Sequence, residues 1–64
     1  MNLIEGLHQE MNRCRELLKE YDAIPIGVFG ATMIRQELEA AENALAMGDT
    51  IAIIKALKDL KECN

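Results

Sequence analysis

Apolar residues recur at helical spacing along most of the chain, with polar residues filling the positions between them. From Ile4 the steps alternate between three and four through Leu7, Met11, Cys14, Leu18 and Tyr21. Leu3 and Leu17 widen this seam, while Glu5, Gln9, Asn12, Arg13, Glu16, Lys19 and Glu20 occupy the rest of the circumference. Asn2 followed by Glu5 makes a capping-box-like start, so the pattern predicts a first helix over about residues 2–21. Pro25 then biases Ile24 toward extended backbone and Gly27 adds freedom, which predicts a corner over residues 22–27. A second helix is expected over about residues 28–47, closed by Gly48 as a left-handed cap. Asp49 is a natural N-cap for a third helix over about residues 50–63, with Ile53, Ala56, Leu57, Leu60 and Cys63 on its apolar face and Lys55, Lys58 and Lys61 turned away.

The middle helix is apolar over roughly 200° of its wheel, wide enough to meet two neighbours. Ile34, Leu38, Ala41 and Leu45 form one side of that arc, and Phe29, Met33, Ala40, Ala44 and Met47 the other. These elements predict one all-α domain over residues 1–64: a helical hairpin with a third helix laid along it, a small up-down-up three-helix bundle. Its alanines allow close helix approach, but aromatic residues are only 3% of the chain, so the core is thin.

Length sharpens that point. A chain of 64 residues buries only about 60% of the surface its unfolded form exposes, so a partner chain is an expected source of stability. The same shortage of interior disfavours a large enclosed active site. Seven basic against eleven acidic residues, with no Lys/Arg run, argue against nucleic-acid binding. The acidity concentrates in the middle: residues 22–48 hold four acids and one base. The longest uncharged stretch, Ala23 to Ile34, is too short to span a bilayer and is interrupted by Pro25, Gly27 and Gly30, and the N-terminus lacks a signal-peptide core; a cytoplasmic protein without membrane contact is expected. Cys14, Cys63 and His8 do not make an ordinary four-ligand zinc site within one chain, so neither metal nor cofactor is expected.

Several residues fit a lone bundle poorly. Ile51 falls nearly opposite the core face of the third helix and Ile54 lies on its flank; with Phe29, Met33 and Met47 they form a candidate interface. The bland alternative is scattered surface isoleucines. Glu37 sits inside the apolar arc of the middle helix and should find a cation; hairpin heights place it level with residues 13–15, which predicts an ion pair with Arg15. The alternative there is a Glu whose stem packs while its carboxylate reaches water. The apolar corner, Ile24 to Gly30, either caps the core with Ile24, Ile26 and Phe29 or docks a partner. Cys63 is expected near the height of residues 14–16, close enough for a disulfide with Cys14, although reduced thiols are expected in the cytoplasm. His8 reads as a surface or partly packed histidine.

The spacing of Ala44, Gly48, Ile54 and Leu57 resembles a DNA-binding helix-turn-helix, but Asn43 and Asp49 stand where that motif places apolar residues. Gly48-Asp49 also resembles the corner of a tetratricopeptide repeat, although Ile53 stands where the repeat has a small residue and only one unit is present. Glu10-Met11-Asn12-Arg13-Cys14-Arg15-Glu16-Leu17-Leu18, Phe29-Gly30-Ala31 with Met33-Ile34, and Gly48-Asp49 together resemble small uncharacterised bacteriophage and prophage proteins of proteobacteria. That resemblance implies a phage or prophage setting and no activity.

The reading that results is a non-catalytic helical interaction module that self-associates, with a dimer as the first expectation. The alternative is an acidic inhibitor or adaptor that binds a basic protein surface through the Asp22–Glu42 region and the apolar corner.

Overall fold

The computed structural model describes residues 2–63. Three helices, α1 (Leu3–Asp22), α2 (Val28–Met47) and α3 (Thr50–Lys61), pack against one another as an up-down-up bundle measuring 36 × 20 × 16 Å. That length suits twenty-residue helices rising about 1.5 Å per residue.

Each helix end has a local cause. The Asn2 side-chain oxygen accepts from the Glu5 N–H at 2.8 Å and so opens α1. A 3-10 turn, Pro25–Gly27, forms the corner, with Ile24 extended ahead of the proline. Gly48 closes α2 in the left-handed region at φ 66°, donating to Ala44 and Leu45. The Asp49 carboxylate accepts from Ile51 at 3.1 Å and Ala52 at 3.3 Å, so one helix stops and the next starts within two residues. The third helix ends at Lys61, two residues short of the expected boundary.

The core runs through Leu7, Met11 and Cys14 of α1, Ile34, Leu38, Ala41 and Ala44 of α2, and Ile53, Ala56 and Leu60 of α3. Three expectations change. Ile4, placed in the first seam, is half-exposed, and Leu3 packs against the core in its place. Only part of the wide arc of α2 is covered: Phe29, Met33, Ala40 and Met47 remain exposed although Ala44 is buried. The corner does not cap the core, because Ile24, Ile26 and Phe29 all face outward while Tyr21 and Gly27 meet beneath them.

The expected Arg15–Glu37 ion pair is replaced by a different register. Arg15 reaches Glu42 at 3.4 Å and Asn12 at 3.0 Å, while Arg35 grips both carboxylate oxygens of Asp22 at 2.7 Å. The two cross-helix pairs are seven residues apart on each helix, from 15 to 22 and from 42 to 35. Helical side chains lean toward their own N-terminus, so in an antiparallel pair an α1 side chain reaches away from the corner and an α2 side chain toward it. A match of backbone heights alone therefore selected the wrong carboxylate for Arg15.

Candidate interaction surface

The end of α3 is tied to the other two helices by polar groups. Arg13 donates to the carbonyl of Leu60 at 2.5 Å and to that of Cys63 at 3.0 Å, and its Nε holds Glu10 at 2.8 Å. The Leu60 carbonyl belongs to the last turn of α3 and the Cys63 carbonyl lies just past it, so the guanidinium supplements the local hydrogen bonds at this helix end and fixes it to α1. Sequence reading chose Arg15 from residues 13–15 as the cross-helix cation and gave Arg13 no partner. The neglected signal was that Arg13 and Glu10, three residues apart, share the flank of α1 that faces α3.

Cys14 and Cys63 are free thiols on either side of this junction. Cys14 is buried and donates to the Leu60 carbonyl at 3.5 Å, while Cys63 donates to a carboxylate oxygen of Glu37. Glu37 therefore meets a thiol where a cation was expected. Burial, then the Glu37 carboxylate beside it, pushes the Cys63 thiol up to about 12. Burial also raises Cys14, against the opposing pull of Arg13. Both groups are kept as thiols, unsuited to nucleophilic work.

Beside this junction lies an open cleft of about 320 Å³ between Tyr21, Met33, Glu37, Glu62 and Cys63. The Tyr21 ring forms one wall, resting against Gly30 so closely that a β-carbon there would come within 2.9 Å of it. Among the described residues, no three His, Cys, Asp or Glu side chains are placed to hold a metal ion, and no helix is long and apolar enough to cross a membrane. His8 is exposed.

The apolar candidates are all on the surface: Phe29 is 82% exposed, Met33 60%, Met47 76%, Ile51 79% and Ile54 52%. They are carried by two helices. Phe29, Met33 and Met47 lie on one stripe of α2, and Ile51 follows Met47 at the same end of the bundle. Ile54 instead borders a shallow recess with Leu57, Lys58 and Lys61 on α3. The stripe also includes exposed Gln36, Ala40 and Asn43, while the charged residues of α2, Arg35, Glu37, Glu39 and Glu42, fall outside it. Comparison with family models, with curated proteins and with solved structures gives no match, so the functional reading rests on this surface.

Proposed function

We propose that this protein is a small helical assembly module that self-associates through the uncovered stripe of α2 and the adjoining start of α3, acts without catalysis, and works in a reducing compartment such as the cytoplasm. The observation that carries this reading is the imbalance between surface and core: among the described residues nine large apolar side chains are at least half-exposed, while the buried core holds Leu7, Met11, Ile34, Leu38, Ile53 and Leu60 and is otherwise alanine and Cys14. Isolated surface isoleucines are ordinary, but a stripe along a whole helix that is free of charge and mostly apolar, in a chain this short, matches the interior of a subunit contact. Unpaired thiols held in their protonated form fit a reducing compartment.

The alternative, an acidic adaptor for a basic surface, has weaker support, because Asp22 and Glu42 in its proposed region are already engaged by Arg35 and Arg15. Solution mass by size-exclusion chromatography with light scattering, over a concentration series and with and without reductant, tests the proposal. Two or more chains at high concentration, unchanged by reductant, is the expected result. One chain at every concentration would sink self-association and redirect the stripe to a different partner.

A further inference from the structure

The stripe on α2 has an internal symmetry. Its members, Phe29, Met33, Gln36, Ala40, Asn43 and Met47, are spaced by steps of four, three, four, three and four, the rhythm of a two-helix seam. The rhythm reads the same in both directions about the level of residue 38. Its largest apolar members stand at the two ends and its small or polar members in the middle. We infer that a second copy of this chain docks on α2 antiparallel to it, about a two-fold axis at the height of residue 38. The inference rests on the self-association proposed above and names its geometry.

In that arrangement Phe29 faces Met47 of the second copy, Met33 faces Asn43, and Gln36 faces Ala40. Every large apolar side chain of the stripe is covered, and the thioether of Met47 meets an aromatic ring, a favourable contact. Ala40 near the centre allows close approach of the two axes. The two ends of the molecule also become complementary. Exposed Ile26 precedes α2 at its Phe29 end and exposed Ile51 follows it at its Met47 end, so the two-fold brings the Ile26 end of one copy toward the Ile51 end of the other.

Area and charge agree with this occupant. Covering Phe29, Met33, Met47, Ile26 and Ile51 would remove on the order of 600 Å² per copy before polar atoms are counted, which approaches the ~800 Å² per partner of stable interfaces. No charged side chain of α2 lies within the stripe, so none must be stripped of water. A parallel copy would stack Gln36 on Gln36 and Asn43 on Asn43, leaving each polar pair inside the seam and each apolar end cluster facing its own kind. The antiparallel copy avoids that like-on-like stacking, sets Ala40 and Met33 against Gln36 and Asn43, and opposes the helix dipoles favourably.

Cysteine cross-linking distinguishes the arrangements. Met33→Cys chains and Asn43→Cys chains are prepared separately, tagged to differ in mass, mixed, and treated with a short bis-maleimide, with the wild-type chain as control for Cys14 and Cys63. An antiparallel seam brings 33 of one copy against 43 of the other, so the mixed dimer band appears. Identical positions then lie about 15 Å apart along the axis, and each variant alone stays mostly uncoupled. A parallel seam reverses the result, with strong self-coupling of each variant and little mixed product, and would overturn the inference. A dimeric mass with neither product would place the contact on another face, overturning this geometry while leaving self-association standing. A monomeric mass would remove both.

Discussion

Gly48 and Gly27 each resist replacement, for different reasons. Gly48 has φ 66° with open space around it, so Gly48→Ala costs only the left-handed conformation, about 1 kcal/mol, and Gly48→Asn costs less. Gly27 has an ordinary backbone, but a β-carbon there would collide with the Tyr21 carbonyl, which cannot move without opening the end of α1. Gly27→Ala is therefore expected to destabilise more than Gly48→Ala, and urea midpoints of the two variants give the order. Equal midpoints would mean the corner is looser than its contacts imply. Sequence reading identified the conformational glycine, because a helix stop followed by Asp49 is a local signal. It credited Gly27 with a backbone freedom that the observed φ of −79° does not use, and could not see the steric reason, because the obstructing atom belongs to α1.

Cys63 gives the chain a predictable alkaline weakness. Its thiol holds its proton up to about 12 in the folded state, against an ordinary value of 9.0. Below about pH 9 the thiol is protonated whether folded or not, and its contribution is complete. As pH rises from 9 toward 12 the unfolded chain loses the proton first, so stability falls across that window. The groups facing this thiol are Glu37 from α2 and Cys14 from α1, with the Asp59 carbonyl behind it at 3.7 Å. Denaturant midpoints at pH 8 and pH 10.5 should separate more for the wild type than for Cys63→Ala. The same burial predicts that alkylation of Cys14 and Cys63 near neutral pH is much slower in the folded chain than in denaturant.

The helices differ in how much of their behaviour is local. α3 is only twelve residues long, marginal on its own, and depends on its two ends. Asp49→Ala removes the cap on Ile51 and Ala52 and should cost about 1 kcal/mol. Arg13→Gln removes the clamp on the carbonyls at the end of α3 and should raise amide exchange in residues 60–63 before it affects α1. Uniform exchange in both helices would show that α3 is held by Leu60 and Ile53 instead. Periodicity located all three helices within two residues because caps, a proline and a left-handed glycine are local devices. The Arg15–Glu37 pairing failed because cross-helix partners depend on the lean of side chains and on axial offset, neither of which wheel angles contain.

As a molecule, the protein has a covered face and an uncovered one. A monomer would leave the α2 stripe in water; a dimer would convert it into core, and stability would then rise with concentration. Phe29→Ala is expected to weaken the proposed dimer by about tenfold, and Phe29→Glu to shift the mass to one chain, while helical content in circular dichroism stays unchanged because the side chain makes little of the fold. Loss of helix together with loss of mass would instead mean that the monomer does not fold alone. The width of the apolar arc was visible in the sequence, as was the oddity of Ile51. Which half of the arc would be used within the chain was not: Ala44 went inward while Met33 and Phe29 stayed out.

The sequence by itself determined the helices, their ends, the order up-down-up and most of the core, because these follow from spacing and capping within a few residues. Tertiary structure decided that Arg15 would pair with Glu42, that Arg13 would clasp the end of α3, that Glu37 would meet a thiol, and that one stripe of α2 would be left uncovered. Each of these depends on how three helices of different length settle around one small core, where an axial shift of a few ångströms selects the side chains that touch.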